Sequence, residues 1–269
     1  MTATVNRPVV AGVDASVASV AAIRWAAQEA RRQGTTLRLV HACVFEGRAP
    51  LAGADSDLLL EHAGRWLRRG AGIAREAAPG VQVEVALETG LAVDLLLAES
   101  ADAAVVVLGS HGLGGLRGAL IGSVALRVAA EASCPVVVVR GHADPAGPVV
   151  VGLDATESSE HALRFALDEA SVRHAPVLVV HVFGDGTEPT EQRGQEARVA
   201  TWARKYPALT ISSRAVRDRT PSHALLHAAP AAQLIVVGTR GRGPVAGGLL
   251  GSTGNALLSH AACPVAVVH

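Results

Sequence analysis

Aromatic residues are scarce, at three Phe, three Trp and one Tyr in 269 residues. A platform that stacks successive nucleobases needs more of them, which argues against a single-strand nucleic-acid binder. Neither sign of charge prevails, since Lys+Arg and Asp+Glu both number 24. A neutral chain has no long-range pull toward nucleic acid or an anionic membrane. Lys205 is the only lysine, so lysine-dependent chemistry has one candidate at most. The three cysteines, Cys43, Cys134 and Cys263, form no CxxC pair. A reduced, cytoplasmic protein is the expectation. No apolar run approaches the ~18 residues of a membrane span, and the opening "MTATVNRPVVAGVD" lacks the layout of a signal peptide.

What is present is apolar and repeated. Hydrophobic residues make up 49% of the chain, and the length suits two domains, each able to bury roughly two-thirds of its unfolded surface. "VVAGVDASVAS" (9–19) recurs as "VVVGLDATESS" (149–159), and "LVHACVF" (39–45) as "VVHVFGD" (179–185). "VVVLGSHG" (105–112) recurs as "IVVGTRG" (235–241), and "CPVVVV" (134–139) as "CPVAVV" (263–268). The order is kept, so one domain is duplicated in tandem, over 1–141 and 148–269. The join lies near the polar, Pro- and Gly-containing "GHADPAG" (141–147). The second copy is shorter between its second strand and second helix.

Within each copy, Val-rich runs without polar alternation suit parallel strands covered on both faces. They predict strands near 8–14, 36–44, 81–88, 103–109 and 135–140, then near 148–154, 176–183, 209–216, 233–239 and 264–268. Alanine-rich helices lie between the first five, near 17–33, 56–78, 91–100 and 123–132. Ser16 or Ser19 is placed to cap the first and Gly34 to stop it. Ile23, Ala26, Ala27 and Ala30 would face the sheet. This alternation reads as an α/β fold with two doubly wound, five-stranded parallel sheets. The expected strand order is 3-2-1-4-5, with a ligand crevice at the C-terminal strand ends beside the switch between strands 1 and 4.

The conspicuous polar and glycine residues gather at that edge. Asp14 and Asp154 end strand 1 of each copy, His41 and His181 lie near the end of strand 2, and Gly109 and Gly238 end strand 4. The loops that follow share the pattern G-x2-G-x9-G-S, through Gly109, Gly112, Gly122 and Ser123, then Gly238, Gly241, Gly251 and Ser252. Glycine lets backbone N–H groups approach a ligand with no Cβ in the way. A helix N-terminus adds unpaired N–H groups and partial positive charge, and its serine can cap the helix or bond a phosphate oxygen. Together these form a phosphate cradle that needs no lysine. The helix dipole alone supplies only ~0.3–1 kcal/mol, so several N–H contacts and burial of a base must supply the rest.

With these motifs the chain resembles the universal stress protein family in its tandem two-domain form. The resemblance covers essentially the whole chain and implies an adenine nucleotide alpha hydrolase-like fold. In that family the glycine pattern marks ATP-binding members. The resemblance implies that Asp14 and Asp154 meet the ribose and adenine region and that the backbone at Ala42 and Val182 reads the adenine edge. Gly109, Gly112, Gly122, Ser123 and Val124 would hold phosphates and ribose in the first copy, as Gly238, Gly241, Gly251, Ser252 and Thr253 would in the second. Mg²⁺ would accompany the phosphates. The final strand commonly pairs two domains, which implies an intramolecular pseudo-dimer through 135–140 and 264–268, with further homodimerisation open. The second copy departs in Pro244, which lacks an N–H, in Arg240 and Arg242 where the first has His111 and Leu113, and in its shortening around 184–209.

Plainer readings stand beside these. Glycine loops also make tight turns, and the aspartates also cap helices. His41 and His181 read as satisfied, partly buried histidines, and Trp25, Trp66 and Trp202 as packing or domain-contact residues. Cys134 and Cys263 read as small buried fillers. His223 and His227, at i and i+4, have a metal-ligand spacing, but no carboxylate or cysteine partner is evident nearby. The functional expectation is a nucleotide-dependent stress or signalling regulator that binds one ATP per domain, with unidentified protein partners. The alternatives are a slow ATPase or nucleotidyl-transferring enzyme on the same fold, and an interaction module that binds no nucleotide. No P-loop lysine motif supports kinase-like chemistry.

Overall fold

The computed structural model describes residues 7–43, 54–112, 121–154, 156–183, 189–239 and 250–269. The chain divides into two compact units, Met1–Val139 and Arg140–His269. Unit 1 runs β1 (Val9–Gly12), α1 (Val17–Gln33), β2 (Leu37–Cys43), α2 (Ala54–Ala77), β3 (Val83–Thr89), α3 (Ala92–Ser100), β4 (Val105–Gly109), α4 (Ser123–Glu131) and β5 (Val136–Val139). Its strands lie in the order β3-β2-β1-β4-β5, every neighbouring pair parallel, with Val9 opposite Leu37 on one side and Val105 on the other.

Unit 2 repeats the plan with β6 (Val149–Leu153), α5 (Glu157–Arg173), β7 (Val177–Phe183), α6 (Pro189–Lys205), β8 (Ile211–Arg217), α7 (Pro221–Ala228), β9 (Leu234–Gly238), α8 (Ser252–His260) and β10 (Val265–Val268). The order is β8-β7-β6-β9-β10, again all parallel. Both units therefore have the 3-2-1-4-5 arrangement, with the order of strand addition reversing at the first strand.

The central strands are apolar on both faces because helices cover both. Val9, Val10, Val105, Val106 and Val107 are fully buried, as are Val149, Val150 and Val236. Ile23, Ala26, Ala27 and Ala30 give α1 a fully buried face, and small side chains let it lie close to the sheet. The third strands depart from the expectation of two covered faces. On β3 only Ala86 is buried, and β8 has no buried residue. Both are edge strands carrying charge, Glu84 and Glu88 on β3, Arg214 and Arg217 on β8, which discourages edge-to-edge association.

Local signals close the elements. The Ser16 side chain accepts from the Ser19 N–H to cap α1, and Gly34 ends it in the left-handed region at φ 64°, where glycine carries no Cβ penalty. Thr156 caps α5 in the same way, but His174 takes the left-handed position at φ 52°. Each of these helices also buries a carboxylate near its C-terminal end. Glu29 accepts from Arg32 and Gln33, and Glu169 from Arg173 at 2.8 Å. Such burial is tolerated because the charge is paired within the same helix.

Candidate functional site

In unit 1 a cavity of 590 Å³ opens at the C-terminal strand ends, between the ends of β1 and β4. Its floor depends on Gly12, where a Cβ would meet Leu108 Cδ2 at 2.5 Å and Leu96 Cδ2 at 3.0 Å. Glycine there lets α3 and β4 close beneath the opening. Leu95, Leu96, Leu108, Val40 and Val124 make an apolar lining, suited to a flat organic group.

Asp14 stands one residue beyond Val13 at the rim. Its backbone N–H donates to Ser19 Oγ at 3.0 Å, and its Oδ1 accepts from the Ser16 N–H at 2.9 Å. The aspartate therefore organises the turn into α1, whose N-cap is Ser16. Ser16 Oγ also reaches the His111 carbonyl at 3.4 Å, tying this turn to the glycine loop. A Cβ on Gly112 would sit 2.8 Å from Asp14 Oδ2, so strand 1 and the loop meet at the carboxylate. Gly109 is required by a different neighbour, since a Cβ there would come within 2.7 Å of the Ala18 backbone.

Gly122, not Ser123, is the N-cap of α4, and no side chain caps the helix. The Gly122 N–H donates to the Ser110 carbonyl at 2.8 Å, and the first helical turn closes with Leu126 N–H onto the Gly122 carbonyl at 3.0 Å. The amides of Ser123, Val124 and Ala125 come before that bond and have no intrahelical acceptor. All three residues line the cavity. The serine hydroxyl is thus left for a ligand or solvent by the cap's location. None of Gly109, Gly112 and Gly122 has positive φ, so their role is close approach and not a left-handed turn.

His41 supports the rim from β2. Its Nδ1–H donates to the Val13 carbonyl at 2.7 Å, as a satisfied histidine should, and the ring borders the cavity. Ala42 follows it at the crevice wall, paired in register with Glu88 of β3. His111 bonds Ser110 Oγ through Nδ1 at 3.0 Å. Asp14, Ala42, Gly109, Gly112, Gly122, Ser123 and Val124 therefore all border one cavity. None of its described lining residues is Lys or Arg, so any anion there must be met by peptide dipoles, hydroxyls, imidazole or an accompanying cation.

Unit 2 places its counterparts alike. Asp154 follows β6, and its Oδ1 accepts from both the N–H and the hydroxyl of Thr156. Val182 lies on β7, in register with Val216. Gly238 ends β9 against Ser158, whose backbone a Cβ would approach to 2.9 Å. Gly251 caps α8 and donates to the Thr239 carbonyl at 3.1 Å. The first turn closes with Asn255 N–H on Gly251 at 3.0 Å, which leaves the amides of Ser252 and Thr253 at the helix start. Gly241, Arg240, Arg242 and Pro244 lie outside the described residues, as does Leu113.

His181 differs from His41. It is 7% exposed, and neither ring nitrogen has a hydrogen-bond partner of good geometry. Burial holds its pKa below the usual imidazole value, an effect the nearby Leu153 carbonyl partly opposes. The expectation of a satisfied histidine therefore fits His41 and not His181. Cys134 and Cys263 are buried, and burial pushes each thiol up to about 11, which makes them inert fillers.

Sequence reasoning missed the wall that α3 provides, and it read Ser16 and Ser19 only as helix caps and not as the brace that holds Asp14. The brace had a signal, because Ser16 and Ser19 recur as Thr156 and Ser159. Nothing local shows that Ala92, Leu95 and Leu96 face a crevice.

The fold and the rim define a doubly wound α/β protein with a crevice at the topological switch point, where such sheets bind ligands. The family model of the universal stress protein family matches residues 6–140 and again 146–269. The chain belongs to that family and carries its domain twice. It is 35% identical over 286 residues to a universal stress protein of Mycobacterium tuberculosis, covering 96% of each chain. It is 33% identical over 283 residues to one of Mycolicibacterium smegmatis, covering 97% of this chain and 96% of the relative. The crystal structure of a universal stress protein from Archaeoglobus fulgidus has the same fold, with a TM-score of 0.78 at 20% identity over 98% of this chain and 96% of that one. Among the described residues no helix is long and apolar enough to cross a membrane.

Proposed function

We propose that the chain is a nucleotide-dependent stress regulator that binds ATP with Mg²⁺, one nucleotide in each unit. The observation that carries the reading is the unit 1 cavity, which an apolar wall, a rim carboxylate and the three residues that begin α4 border together. Its 590 Å³ falls within the ~300–1,000 Å³ typical of small-molecule sites.

The adenine lies against the apolar lining, with the backbone at Ala42 reading its edge. Asp14 accepts hydrogen bonds from the ribose hydroxyls. The amides of Ser123 and Val124, with the Ser123 hydroxyl and the open backbone at Gly109, Gly112 and Gly122, take the phosphates. In unit 2, Asp154, Val182, Gly238, Gly241, Gly251, Ser252 and Thr253 take the same parts. Among the described residues no group of three or more His, Cys, Asp or Glu is set to hold an ion, so on this reading Mg²⁺ is bound chiefly through the phosphates, neutralising charge that no lining arginine or lysine meets. Binding energy directed at a ground-state nucleotide suits a regulator.

Calorimetric titration of the full chain tests this. MgATP should saturate near two equivalents, and ATP in excess EDTA should bind much more weakly. No saturable heat with MgATP would overturn the proposal. Turnover well above background would move the protein to the enzyme class.

A further inference from the structure

The structure sets three side chains together on unit 2, apart from the residues assigned to the nucleotide. His223 and His227 lie one turn apart on α7, with ring centroids 4.3 Å from each other. Asp218 lies just after β8, and its Oδ2 accepts from His223 Nδ1–H at 2.8 Å. The carboxylate is itself held, because its Oδ1 accepts from the Thr220 N–H at 2.8 Å and its own N–H donates to the Phe183 carbonyl at 3.1 Å. This is the carboxylate that the linear sequence did not make evident.

We propose that His223 and His227 form a surface chelate for a borderline divalent transition-metal ion, of the Zn²⁺ or Ni²⁺ kind, with Asp218 as the positioning residue. The chemistry follows from the tautomer. In the neutral ring, a hydrogen bond from Nδ1–H to the carboxylate selects the tautomer whose Nε2 carries the lone pair, and it fixes the ring's orientation for a metal ion. Residues at i and i+4 share a helix face, and both imidazoles are exposed, so His227 can turn its ring toward the same ion at little cost. Among the described residues there is no third His, Cys, Asp or Glu positioned as a ligand, so water completes the coordination shell. Arg217 and Arg219 flank Asp218 in sequence and disfavour hard cations held by charge alone. Imidazole nitrogen therefore selects Zn²⁺ or Ni²⁺ over Mg²⁺ or Ca²⁺.

The test uses the full chain with ZnSO₄ in calorimetry and NiCl₂ in amide NMR, where paramagnetic broadening locates the ion. Broadening should centre on residues 218–228. His223→Ala and His227→Ala should each abolish that focus while far-UV circular dichroism stays unchanged. Asp218→Asn should weaken Zn²⁺ binding by roughly tenfold or more, as loss of an outer-sphere carboxylate typically does. His62→Ala, on α2, should change nothing. Broadening centred elsewhere, or Zn²⁺ affinity retained in both histidine variants, would overturn the proposal. MgCl₂ that competes at equal concentration would overturn the claimed metal class.

Discussion

Two glycines of the unit 1 loop separate the binding role of that loop from its packing role. In Gly112→Ala the new Cβ would lie 2.8 Å from Asp14 Oδ2, whereas ordinary Cβ contacts fall at 3.4–4 Å. The obstructing atom ends a short side chain that can turn away. Turning it forfeits the bond from Ser16 N–H to Asp14 Oδ1, worth about 0.5–1.5 kcal/mol, and removes the carboxylate from the ribose position. Hydrogen bonds to a charged group contribute about 1.5–3 kcal/mol, so MgATP affinity at unit 1 should fall about 10- to 100-fold. In Gly109→Ala the Cβ would meet the carbonyl carbon and oxygen of Ala18 at 2.7 and 2.9 Å. Backbone cannot rotate aside, so α1 must lift from β4, at about 1–3 kcal/mol of stability. Urea unfolding and calorimetric titration of both variants provide the assay. A larger loss of stability in Gly112→Ala than in Gly109→Ala, or full unit 1 affinity in Gly112→Ala, would refute the reasoning.

Three further outcomes follow from the same geometry. Asp14→Asn keeps an oxygen for the Ser16 N–H, so unfolding should shift little while MgATP binding at unit 1 weakens about tenfold, measured by calorimetry. Gly34→Ala meets no atom within 4 Å, so its cost is the left-handed backbone alone, about 1–2 kcal/mol. His174→Gly, at the matching position of α5, should range from neutral to about 1 kcal/mol more stable, because strain relief is partly offset by a looser unfolded chain; denaturant midpoints check both. Because the folded His181 has a lowered pKa, the unfolded state binds a proton that the folded state refuses. The stability of unit 2 should therefore be full at and above neutral pH and fall as pH drops through about 6.5. His181→Leu should flatten that slope in melts between pH 5 and 8.

Much of the fold was legible because each strand left a direct mark. Unbroken valine runs such as "VVVV" at 136–139 belong to strands covered on both faces, and the recurrence of every run in order made the duplication readable. The edge strands were harder. β3 and β8 were legible as strands near 81–88 and 209–216, but pairing on one side leaves them mostly uncovered, as at Glu84 and Arg214, and that exposure was not read. Glycine spacing and the aspartates were legible because both depend on local turn chemistry, and in unit 1 the structure gathers them at one cavity rim. The helix starts at Ser123 and Ser252 were placed correctly, but the serine after glycine looked like a candidate cap, whereas Gly122 and Gly251 serve as caps. His41 and His181 look equivalent in sequence, yet only His41 makes a well-formed bond to the carbonyl beside it, Val13, while His181 lies near the Leu153 carbonyl without one. That difference is one of ring geometry against a backbone carbonyl, which no local pattern encodes.

Amide NMR of the full chain, recorded while MgATP is added, tests the central claim most directly. The account predicts that the backbone resonances of Ser123, Val124 and Ala125, with Gly109 and Gly112, move together and saturate with the nucleotide. Saturable binding that left those five resonances unmoved and shifted residues elsewhere would contradict it.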